Sequence, residues 1–170
     1  MELNEVLKDL FGRVNEHVHE AVDGLDDEQL TRQPWPGANS IGWLVWHLTR
    51  VQDHHMADLL GVDQIWVSDD WGPRFGISSD PHNTGYGHSA TDVQTIKPES
   101  AQALVDYYEA VESRTLDFIA GITAEALDRI VDKRWDPPVT LGVRLISIAD
   151  DDIQHSGQAA YARGAVARGD

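Results

Sequence analysis

Residues 141–167, LGVRLISIADDDIQHSGQAAYARGAVA, decide the fold. Leu141, Leu145 and Ile148 recur at intervals of three and four, the spacing of one face of a helix. Continuing that face brings Asp151 or Asp152, then His155 and Ala159. Carboxylates and an imidazole therefore interrupt a face that packs like the inner side of a bundle helix. A carboxylate near an apolar interior is costly to desolvate, so it must be exposed, paired with a base, or bound to a cation. Asp151 and His155 stand at i and i+4, one above the other, and can converge on a single ion. Asp152, at i and i+3, is the less favoured partner. Asp150 and Asp152 are expected on a solvated face.

Working outward, the same period occurs three more times. Leu3, Val6, Leu7, Leu10, Val14, Val18, Ala21, Val22 and Leu25 mark helix one. DDEQLTRQPWPGANS, with two prolines and a glycine, reads as a connection ending at Ser40, an N-cap for helix two. Helix two, IGWLVWHLTRVQDHHMADLLG, ends at Gly61. Between Gly61 and Pro98 the chain is rich in Gly, Asp, Ser, Pro and His without a sustained period. This predicts a long loop, with one short helix at SATDVQTI. Helix three follows over KPESAQALVDYYEAVESRTLDFIAGI, with Pro98 at its start and Gly121 at its close. TAEALDRIVDKRWDPPVT holds a helical turn and a strand-like fragment before helix four, from about Leu141 to Ala167. The expected fold is all-α: a four-helix bundle with a long loop between helices two and three, as one domain over residues 1–170.

Composition narrows the function classes. The 170 residues carry 29 acidic against 13 basic side chains, a formal net charge of −16. Such a surface repels phosphate backbones, so nucleic acid is excluded as a partner. No run of 18 apolar residues and no secretory leader pattern is present, which predicts a cytoplasmic protein without a membrane partner. Cysteine is absent. Disulfides, thiolate ligands and a cysteine nucleophile are thereby excluded, and any thiol chemistry must borrow its sulfur.

On helix two, Leu44, Leu48 and Val51 form an apolar face into which His47 also points. If helices two and four are neighbours, His47, Asp151 and His155 form a two-histidine, one-carboxylate cluster. Three protein ligands with positions left for water suit catalytic zinc, and the same donors serve nickel, iron or manganese. Around them, Trp43 and Trp46 flank His47, and Arg50 lies one turn beyond, able to hold an acidic group of a ligand or to pair with Asp53 or Asp151. His54 can lie behind the cluster. The loop residues His82, Tyr86 and His88 can line its mouth.

SIGWLVWHLTRVQDHH, GYGHSATDV and DDDIQHSGQAAYARG, in this order, resemble the DinB-like superfamily of metal-binding four-helix bundles. The resemblance spans nearly the whole chain and looks nearest to an actinobacterial branch filed as a domain of unknown function. Its pattern is one histidine from helix two and a pair on helix four, the first histidine or carboxylate. That pattern maps to His47, Asp151 and His155. The resemblance implies a divalent metal, zinc or nickel, and relatives that transfer mycothiol or bacillithiol to small electrophiles. It therefore implies a thiol S-transferase with a low-molecular-weight thiol as cosubstrate. The alternatives are a metal-dependent hydrolase using metal-bound water, with His88 or His54 as base, and a non-catalytic metal-binding or dimerisation module. A homodimer would leave an apolar stripe exposed on helix one or three.

Overall fold

The computed structural model describes residues 2–168, so Met1, Gly169 and Asp170, the outer ends of the expected domain, lie outside the described residues. The first helix, α1 (Leu3–Val22), starts where Glu2 and Glu5 cap each other reciprocally. A short α2 (Asp27–Thr31) occupies the segment read as a plain connection. Asp26 accepts from the Gln29 backbone and Gln29 answers to the Asp26 backbone, a capping box the DDEQ sequence carried. The second long helix, α3 (Ile41–Leu60), begins at Ser40, whose hydroxyl accepts from Trp43 N, and stops at Gly61 with φ of 67°.

The expected loop is more ordered than its composition suggested. It contains α4 (Ile65–Ser68), a 3₁₀ turn over Gly72–Phe75, and α5 (Ala90–Val93) within the segment predicted to be helical. The remaining elements are α6 (Ala101–Ala120), capped by Ser100, a hairpin of β1 (Ile130–Asp132) with β2 (Val139–Thr140), and α7 (Leu141–Arg168). The protein is all-α apart from that hairpin.

Helix α3 packs against α7 and α6, and α1 packs against the same pair. Phe11, Met56, Leu145 and Ile148 belong to one apolar cluster, and Val14, Leu48, Tyr108 and Ala159 to another. Every residue of α3 from Ile41 to Arg50 is buried. The expected single apolar stripe is absent because the 61–98 excursion returns over the outer face, with Trp66, Phe75, Val93 and Ile96 buried in the same core. This covering places loop backbone over His47.

Two expectations need correction. Asp152 is wholly buried, whereas Asp150 alone of the triple aspartate is solvent-exposed. The core face advances from Ile148 by four to Asp152, again by four to Ser156, and by three to Ala159. Asp151 and His155 sit on the shoulder of that face. Exposed apolar residues also fall elsewhere than the dimer alternative would place them. On α1 only Val6 is an exposed large hydrophobic, and α6 has none, while α7 exposes Val143, Ile146, Ile153 and Tyr161. Among the described residues no helix is long and apolar enough to cross a membrane.

Candidate metal centre

The packing of α3 on α7 brings His47, Asp151 and His155 together. One donor atom from each lies within 4.8 Å of the others. His47 is 6% exposed, while the side chains of Asp151 and His155 retain 28% and 19% exposure, so the cluster reaches solvent on the α7 side. Asp151 Oδ1 is 3.6 Å from His155 Nε2, and Asp151 Oδ2 is buried without a hydrogen-bond partner.

Both imidazoles have one nitrogen committed. His47 Nδ1–H donates to the Thr84 carbonyl, and His155 Nδ1–H donates to Gln158 Oε1 over 3.0 Å. In each ring this leaves the Nε2 lone pair free, the arrangement by which partners behind a ligand fix its tautomer and orientation. The rings stand edge to face with centroids 4.8 Å apart. Trp43 stacks on His47 at 4.6 Å and 14° and presents its edge to His155. Burial pushes the His47 imidazole down to about 4, against the pull of the Thr84 carbonyl and with the nearby His155 and His88 adding to the effect. His47 is therefore neutral at neutral pH, the form that ligates. Burial raises the Asp151 carboxyl, opposed by His155.

A two-nitrogen, one-oxygen donor set with an orphaned carboxylate oxygen and two preset imidazoles fits a divalent ion. The buried Asp151 Oδ2 has no hydrogen-bond partner, and such a group costs free energy unless something satisfies it.

The loop residues of the site divide differently from the sequence reading. Tyr86 is 93% exposed, with its side chain in solvent. Its neighbour Gly85, to which the sequence offered only the part of a turn, touches the site: φ is 89°, and a Cβ there would fall 2.8 Å from His47 Nδ1 and 2.9 Å from Trp46 Cζ3. Only glycine lets the backbone approach this closely in that conformation, which the GYG tripeptide hinted at. His88 accepts from Trp43 Nε1 over 3.1 Å, donates through Nε2 to Asn83 Oδ1, and stacks on Trp46. His82 lies outside these contacts, its backbone N–H held by Asp80.

Arg50 offers no hand to a ligand. Its side chain is wholly buried and donates to the carbonyls of Asn83 and Pro81, to Gln64 and to Tyr107, with Asp53 at 3.5 Å. It thereby holds the 81–84 backbone that carries Thr84. His54 takes its contact from Gln64 and lines a separate cavity with Val62, Val67 and Pro81.

Residues 6–168 match the family model described as mycothiol-S-transferase. A crystal structure described as the conserved protein of locus from Enterococcus faecalis shares the fold with a TM-score of 0.89, at 30% identity and over 98% of each chain. A comparison with curated proteins finds no match. The resemblance read from the sequence is borne out: the chain belongs to the mycothiol-S-transferase family, a DinB-like family.

Proposed function

We propose that this member of the mycothiol-S-transferase family is a divalent-metal-dependent enzyme that joins a low-molecular-weight thiol of mycothiol type to a small electrophile. His47, Asp151 and His155 hold the ion, zinc or nickel by their donor set. The observation that supports the reading is the preset trio: two histidines with Nδ1 engaged behind them, and a carboxylate one of whose oxygens is buried without a partner. Bound there, a divalent ion supplies Lewis acidity that favours the thiolate form of the cosubstrate.

The chain's own residues orient and exclude. Thr84 and Gln158 fix the two imidazoles, Trp43 packs flat on His47, and the Gly85 backbone closes the α3 side against water. The sulfur comes from the cosubstrate, since no cysteine is present. In the transfer a sulfur–carbon bond forms, the leaving group departs with its electron pair, and the thiol proton passes to solvent. Hydrolysis would need a base beside the trio. The lone pair of His88 Nδ1 is used by Trp43, and that of His54 Nδ1 by Gln64, so transfer is the favoured reading.

The test is elemental analysis of untagged protein beside His47→Ala and His155→Ala, after dialysis against a mild chelator and re-addition of zinc or nickel, followed by a thiol-conjugation assay. About one ion per chain, lost in both variants together with conjugation, is expected. Unchanged metal content in the variants refutes the site. One ion without conjugation leaves a metal-binding module.

A further inference from the structure

We infer that the cleft one helical turn beyond His155 is a binding site for an uncharged aromatic group. It has a volume of about 630 Å³ and lies between the Pro34–Asn39 segment, the start of α3 and residues 153–162 of α7. That volume is within the range of small-molecule sites, roughly 300–1,000 Å³.

Its chemistry is legible from the lining. A quarter of the chain is charged, yet no lining residue is Asp, Glu, Lys, Arg or His. Trp35, Leu44, Ile153 and Tyr161 form the apolar walls. Trp35, Ile153 and Tyr161 are 49%, 44% and 72% exposed, although Trp35 and Tyr161 already meet edge to face at 6.0 Å. These rings leave apolar faces in water that a flat ligand would cover. Asn39, Gln154 and Gln158 add neutral amides, which orient a ligand without demanding a charge. Gly157 and Ala162 leave room on the α7 side. In a protein of net charge −16 an uncharged, concave, aromatic-walled surface selects neutral apolar molecules and disfavours anions.

Gln158 joins the cleft to the trio. It lines the cleft and its Oε1 accepts from His155 Nδ1. Leu44, three residues before His47, forms the opposite wall. A ligand seated here lies within one turn of both histidine-bearing segments, so the cleft holds the apolar part of the electrophile; this role, unlike the binding itself, rests on the transferase reading.

Binding is measured with N-phenyl-1-naphthylamine, an uncharged fluorescent aromatic, on wild-type protein and on Trp35→Ala, Tyr161→Ala, Gly157→Leu and His155→Ala. A Cβ at Gly157 meets nothing within 4 Å, so leucine there leaves the helix intact while filling the cleft. Circular dichroism confirms that each variant is folded. The expected result is a loss of at least about tenfold in affinity for Trp35→Ala and Gly157→Leu, with binding by His155→Ala retained. Unchanged binding in Gly157→Leu, or equal affinity for the anion 1-naphthoate, overturns the proposal, as does a self-association that the probe fails to compete with. Failure of the transferase reading has a different signature: the probe still binds, and no conjugation follows.

Discussion

Replacing Asp53 by alanine should unfasten the loop that covers the candidate metal centre. Asp53 is fully buried; Oδ1 accepts from Ile65 N at 3.0 Å, and Oδ2 accepts from Trp66 N at 2.8 Å and from Tyr107 Oη at 2.9 Å. Arg50 and Arg114 approach to 3.5 and 3.6 Å. Alanine would strand two backbone N–H groups at the start of α4, at about 1–3 kcal/mol each, and leave Arg50 without its buried counter-charge. Removing one partner of a buried pair costs about 3–5 kcal/mol. These overlap, since water entering the vacated space would meet some donors, and Arg50 keeps Gln64, Asn83 and Pro81. The expected loss is therefore about 3–5 kcal/mol, or roughly 6–20 °C in Tm for a chain of this size. Urea unfolding followed by circular dichroism gives the stability, and hydrogen exchange at Ile65 and Trp66 gives the local effect. The double variant Asp53→Ala, Arg50→Met should be less damaged than additivity requires. A loss below about 1 kcal/mol with unchanged protection at both amides would show that the hub does not clamp α4 to α3.

The other predictions concern single contacts. Gly85→Ala should weaken zinc or nickel binding by roughly 10–100-fold, because the new methyl displaces the Thr84 carbonyl from His47 Nδ1. Equal metal affinity in the two proteins, measured by competition with a chelator, would refute that coupling. His55 behaves differently: burial first, then Arg144, pushes its imidazole down to about 4. Between pH 6.5 and about 4 the unfolded chain binds a proton that the folded chain refuses, so stability falls as pH falls through that window, by up to about 3 kcal/mol. His55→Gln should flatten this dependence in metal-free protein, with the His47 contribution common to both chains. Parallel stability curves would remove His55 as a source.

Periodicity and capping made the bundle legible. Ser40 and Gly61 bound α3 as their chemistry required, and the i, i+4 spacing of Asp151 and His155 set them on one helix shoulder. The covering loop was illegible for a physical reason. Its elements are too short to show a period, and Trp66, Phe75 and Ile96 become core only after the chain has folded back over α3. Arg50 illustrates the same limit. The sequence left it between a ligand's acid, Asp53 and Asp151, and the choice was made by carbonyls from Pro81 and Asn83, more than 30 residues away in the chain.

Asp152 marks where helical spacing alone fails. From Ile148, steps of three and four are both permitted, and they lead to neighbouring aspartates in different surroundings. The structure takes the step of four into the interior, where both Asp152 oxygens lie without a partner and burial, with the Asp151 charge adding, lifts the carboxyl well above the usual range. A charged group would be uncompensated there, so burial favours the protonated form of Asp152 over its carboxylate. The step of three carries Asp151 to the half-exposed shoulder, within reach of His155 and of solvent. Adjacent aspartates thus separate into an interior carboxyl without a partner and a shoulder carboxyl beside His155, and only the second belongs to the trio whose donor atoms lie within 4.8 Å of one another.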